Sequence, residues 1–165
     1  MRNKKNTSHP RMITEIMTPM ELERNDGDEF YPNGIFEFHI TRMNEYINQH
    51  QGEFEKVEID VEFYYRYFKN HDINQMYVEQ ANLERPVIFA EITPDRLYNG
   101  YLGIREDYYS RGYNLIDGHH RIHKAYKLGI KAIWAWIVPM EQHYRFMSKG
   151  FEKYKEYWNG KLSQV

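Results

Sequence analysis

Asp117, Gly118, His119, His120 and Arg121 form one unbroken run, with His123 two positions on, and they hold most of the chain's evident chemistry. The Arg121 guanidinium is a planar donor fork of the kind that clamps phosphate oxygens; its alternative is an ordinary ion pair. The imidazoles of His119 and His120 can donate to a phosphate when protonated, or exchange a proton with a transferring group. Three roles are open to the Asp117 carboxylate: helix N-cap, Mg²⁺ ligand beside phosphates, or general base towards a hydroxyl. Gly118 permits a backbone conformation or a close approach that a Cβ would block. His119 and His123 lie four apart, a spacing that sets two metal ligands on one helix face, but no HExxH-type glutamate stands between them. Glu91 is a further acid of note because its neighbours are apolar. A buried carboxylate needs a partner, and the cations of the run could supply one.

The run needs elements to hold it. Leu115 and Ile116 precede it as apolar strand residues, and Ile122, Ala125, Tyr126 and Leu128 follow at helical spacing up to Gly129. The spacing predicts a strand, a tight turn and then a helix of about three turns. Such a turn brings several backbone N–H groups and the positive end of a helix dipole to one spot, which is an anion site. Around it, Ile35–Ile40, Lys56–Phe63, Pro86–Ile92 and Lys131–Val138 read as strands, the third buried on both faces. Helices are expected across Met43–His50 and Ile73–Leu83, the latter with Met76, Tyr77, Gln80 and Ala81 facing inward. Helical spacing also begins within Tyr64–Asn70. Pro94–Asn99 reads as a turn or short helix and Gly100–Gly112 as a Tyr-rich loop. Met140, Tyr144, Met147, Phe151, Tyr154 and Trp158 give Met140–Trp158 the stripe of one amphipathic helix, with Gly150 as a kink.

Residues 1–33 are polar and rich in turn signals, and read as an arm wrapping a single domain over 34–165, with an insertion near 51–84. The fold class is α+β: one domain, a small mixed sheet and flanking helices. A length of 165 residues, with 41% hydrophobic and 28% charged, fits a folded globular protein. Against 24 acidic residues stand 22 Lys and Arg, so nucleic acid is disfavoured as a partner. There is no cysteine, which excludes disulfides, thiolate metal sites and cysteine nucleophiles. No apolar run is long enough to cross a membrane or serve as a signal peptide core, and the default expectation is a cytoplasmic protein. The aromatic pairs Tyr108-Tyr109 and Trp134, Trp136 read first as packing. Lys124 and Lys127 read as decoration of an exposed helix face.

Ile116-Asp117-Gly118-His119-His120-Arg121, followed by Ala125, Leu128-Gly129 and a strand ending Ile137-Val138, resembles the ParB/sulfiredoxin superfamily. The likeness is sharp over Asn114–Val138. In that family a box of this type opens a helix after a central strand and binds nucleotide phosphates, and Phe36–Thr41 with Pro86–Ile92 would complete the sheet. Sulfiredoxin chemistry is disfavoured because its cysteine is absent. A partition protein is disfavoured because only about 27 residues follow Val138, too few for a helix-turn-helix region. What the resemblance implies is phosphate binding at Gly118, His119, His120 and Arg121. Family kinases place a catalytic acid in the first strand or the helix after it, where this chain has Glu37, His39 and Glu45, with Glu45 as the candidate base.

The leading expectation is therefore an enzyme for phosphoryl transfer or nucleotide hydrolysis, using Mg²⁺ and a nucleoside di- or triphosphate such as ATP, ADP or CTP. Asp117 would hold the metal or take a proton, His120 and Arg121 would neutralise developing charge, and Glu91 or Glu45 would supply a further acid. The acceptor would be a small molecule or a protein. Two alternatives differ in class: a nucleotide-gated protein-binding module without turnover, and a metal-dependent nuclease.

Overall fold

Strand β4 (Val87–Glu91) is buried along its whole length, and its alternating side chains divide the core in two. Val87 and Phe89 point to one apolar cluster, Ile88 and Ala90 to another. This is the two-sided burial that its continuous apolar run predicts. In this computed structural model, which describes residues 9–68, 73–94 and 107–163, the chain is a single α+β domain.

The larger sheet is mixed and ordered β3-β6-β4-β5, with β3 at Glu55–Asp60, β5 at Tyr113–Asp117 and β6 at Ala132–Val138. β6 runs parallel to β4 and antiparallel to β3, while β5 runs antiparallel to β4. Helix α2 (Val61–Phe68) and helix α4 (His119–Lys127) add Val61, Tyr64, Ile122 and Ala125 to one face. The switch from β3 to α2 falls at Asp60, whose carboxylate accepts from the Phe63 N–H at 2.9 Å. Thus residues 55–64, read from sequence as part of an insertion, supply the sheet's outer strand and core side chains.

Against the other face lie α1 (Ile40–Gln49), α6 (Phe151–Leu162) and a three-stranded antiparallel sheet, β1-β2-β7, of Phe30–Pro32, Glu37–His39 and Met147–Lys149. This corrects the expectation that Phe36–Thr41 and Pro86–Ile92 complete one sheet: β2 and β4 belong to different sheets. The strand expected over Ile35–Ile40 is also shorter. The buried His39 caps α1 by accepting from the Arg42 N–H at 3.3 Å, so the helix begins at Ile40.

Two helices differ from their sequence reading. Met140–Trp158 is not one helix but α5 (Met140–His143), a 3₁₀ turn at Tyr144–Phe146, β7 and then α6. β7 pairs with β2, and Gly150, at φ +80°, approaches Ile35 so closely that a Cβ would lie 2.1 Å from its carbonyl oxygen. The apolar stripe survives because each element delivers its own side chains to one core. α3 spans only Gln75–Gln80, capped by Asn74, and Val78 is the residue it buries. Met76 and Tyr77, expected inward, are 60% and 57% exposed. Of the turn or short helix expected over Pro94–Asn99 all but Pro94, and most of Gly100–Gly112, lie outside the described residues, as do the first eight residues of the arm.

From residue 9 the arm packs along α6. Ile13 is buried, its N–H and C=O bonded to the Asn159 side chain at 2.9 and 3.0 Å, and the Trp158 indole donates to the Arg11 carbonyl at 2.8 Å.

Candidate functional site

The strand, turn and helix expected around Gly118 are present as β5, Gly118 and α4. Gly118 has φ +120°, and a Cβ there would lie 2.3 Å from Val87 Cγ1. Both reasons for glycine therefore apply, and the close approach seats the start of α4 directly on β4. Gly118, the N-cap of α4, has no side chain to accept from the first turn of the helix, whose positive dipole end lies here.

Asp117, the last residue of β5, does not cap the helix. Its Oδ1 accepts from Arg121 Nη2 at 3.0 Å, and its Oδ2 accepts from Arg85 Nη2 at 3.0 Å and Asn44 Nδ2 at 3.1 Å. Antiparallel pairing of Asp117 with Ile88 brings the residues just before β4 to this carboxylate, and α1 supplies Asn44 from the opposite side. A carboxylate bound by two guanidiniums is already neutralised. Its donor set does not fit a divalent cation, and among the described residues no group of three His, Asp or Glu could hold a metal ion. Asp117 as Mg²⁺ ligand has no geometric basis here.

Arg121 is 6% exposed, and its Nη1 donates to the carbonyls of Arg85 and Pro86 at 2.9 and 2.6 Å. Burial lowers its pKa, with the Asp117 charge opposing. The fork is spent on holding the 85–86 backbone against α4. The cation with reach is Arg85, whose side chain is 41% exposed and which also lies 3.8 Å from Glu29.

Two cavities open at the start of α4. One, about 430 Å³, is lined by Glu29, Phe30, Tyr31, Ile40, Gly118 and His119 among others. The second, about 580 Å³, is lined by Tyr77, Gln80, Asn82, Arg85 and Arg121. Glu29, Asp117, Gly118 and His120 line both. His120 thus stands between them, its ring edge-on to Tyr77 at 5.5 Å. Burial, and then the Arg121 charge, lower its pKa, so its imidazole is neutral near pH 7.

The remaining candidates lie elsewhere. Glu45 projects from α1 and bonds Arg42 at 2.8 Å; the α1 residue at the cluster is Asn44, one position earlier. Glu91 sits at the far end of β4, opposite Tyr113, and is 2% exposed. Its partners are Arg11, through two bonds of 2.6 and 3.0 Å, and the Met140 N–H at 3.1 Å, rather than the cations around Asp117. His123 packs edge-on against Tyr65 at 5.0 Å. Asn44, Arg85, Glu29 and Tyr77 are site residues that sequence reasoning missed. The only signal for Arg85 was its place before Pro86, which acquires meaning once β4 and β5 are known to pair.

No helix among the described residues is long and apolar enough to cross a membrane. No family model, curated protein or solved structure matches the chain significantly.

Proposed function

We propose that this chain is a cytoplasmic protein of ParB/sulfiredoxin type that binds a nucleoside di- or triphosphate at the start of α4 and transfers or hydrolyses a phosphoryl group. The observation that supports this reading best is the start of α4, with glycine at its N-cap, opening onto cavities that share Gly118 and His120. Backbone N–H groups of His120 and Arg121 would take phosphate oxygens, and Gly118 leaves them room. Arg85 is the cation placed to follow the phosphates, because it is exposed and, among the described residues, its side chain is tethered by the acids Glu29 and Asp117. Arg121 acts by position: it fixes the 85–86 backbone and, with Asn44, the Asp117 carboxylate. His120, neutral before ligand arrives, is the group suited to accept a proton from an attacking water or hydroxyl. Mg²⁺ would come with the nucleotide; the residues around Asp117 do not offer it a site.

Isothermal calorimetry with ATP, ADP, CTP and GTP, each with and without Mg²⁺, tests the reading. Wild-type protein binds at least one of them, and Arg85→Ala weakens that binding roughly tenfold while remaining folded. Folded wild-type protein that binds none of the four overturns the proposal. Arg121→Ala is the wrong probe, since its loss unseats the loop before β4.

A further inference from the structure

The cations of α4 build a wall. Lys124 Nζ donates to the carbonyls of Glu79 and Ala81, both at 2.8 Å, and Arg121 holds those of Arg85 and Pro86. These bonds fasten the segment from α3 to β4 beside the helix start and create the second cavity. The wall carries an unusual set of side chains. Tyr77 is 57% exposed, although it belongs to a short helix beside a core that takes most large aromatics. Gln80 and Asn82 present amides, and Asn82 commits its Oδ1 to the Glu84 N–H at 3.0 Å, which leaves Nδ2 as the donor.

We infer that the second cavity seats the nucleobase, with Tyr77 as its stacking surface and the amides of Gln80 and Asn82 meeting its polar edge. This assignment rests on the phosphate reading of the α4 terminus. Side-chain amides match the paired donors and acceptors on base edges, and an exposed tyrosine ring provides a face for stacking. The first cavity is the poorer seat. Its Phe30 ring already lies 3.9 Å from the Arg24 guanidinium and 4.4 Å from the His39 ring, and its Tyr31 packs against the core. Phosphates laid over Gly118 and His120 would then have the base on the α3 side, with the first cavity open to water or an acceptor.

Calorimetry of inorganic tripolyphosphate beside ATP, GTP and CTP separates base from phosphate. The expected result is that at least one nucleotide binds more tightly than tripolyphosphate. Tyr77→Ala then removes roughly tenfold of that advantage and the Gln80→Ala/Asn82→Ala double variant narrows discrimination among bases, while tripolyphosphate binding is unchanged. These residues are exposed, so the variants fold. Nucleotides that bind no better than tripolyphosphate overturn the base assignment and leave the phosphate site standing. Nucleotide binding that ignores these variants but is lost in Tyr31→Ala places the base in the first cavity and also overturns it. If neither tripolyphosphate nor any nucleotide binds, both readings fall.

Discussion

Asp117 and Arg85 form one ion pair but differ in what their loss would do. The Asp117 side chain is 13% exposed and faces two guanidiniums, so Asp117→Ala leaves the buried Arg121 without its counter-charge. Breaking such a pair from the buried side costs roughly 3–5 kcal/mol. Arg85→Ala removes an exposed partner and costs about 0–1 kcal/mol. Urea denaturation of the two variants should show this asymmetry; equal losses would mean that Asp117 does not neutralise Arg121. The sequence shows which residue types stand together at 117–121 but not which partners each side chain meets. In the sequence Arg121 has the look of a phosphate fork and Arg85 has no evident role, because burial and carbonyl partners are properties of the folded chain. A glycine is easier to interpret: Gly118 meets a fixed steric demand, whereas an arginine's role depends on what lies within reach of its long side chain.

At the scale of elements, α4 has two ends with different tasks. Its first turn faces the cavities, while Lys124 in its last turn takes carbonyls from the end of α3. Lys124→Ala should loosen α3 without disturbing the sheet: amide exchange across residues 76–81 accelerates at least tenfold while that of β4 and β6 is unchanged. Unaltered exchange in α3 would show that the buried Val78 alone anchors it. The same pattern explains which elements were legible. β3, β4, β5, β6 and α4 are long enough for their periodicity to speak. α3, which buries one residue, and β7, whose three residues interrupt a helical stripe, carry too few side chains to impose a period of their own. The separation of β2 and β4 into two sheets rests on backbone pairing, which a single sequence does not encode locally.

At the scale of the whole molecule, the arm, β4, α5 and α6 are drawn together by Glu91. Arg11 joins it to Glu141 through further bonds of 2.7 Å, and its guanidinium lies 5.1 Å from the centre of the Trp158 ring. His143 bonds the Glu91 carbonyl and packs edge-on against Phe38 and Tyr154. It is fully buried, and that burial pushes its pKa down to about 4. Below the unfolded value of about 6.5 the unfolded chain takes up a proton that the folded chain refuses, so stability falls as pH drops from there towards 4. The loss is complete near pH 4 and amounts to on the order of 3 kcal/mol. Denaturation at pH 7.5 and pH 5 should show a steeper loss for wild type than for His143→Gln; equal slopes would refute a neutral buried imidazole.

Arg11 meets Glu91, Glu141 and the Trp158 ring at separations of 80, 130 and 147 residues along the chain. Contacts this distant carry a large loop-closure entropy and form late. The arm finds its place last, because α6 must form before Trp158 and Asn159 can receive it. Until then Glu91 lies beside a sheet that is otherwise assembled, with its countercharge still on a tethered and wandering strand. A chain without α6 would therefore hold that acid at the edge of its core without its countercharge, and docking of the arm, rather than collapse of the sheet, would set the moment when the fold locks.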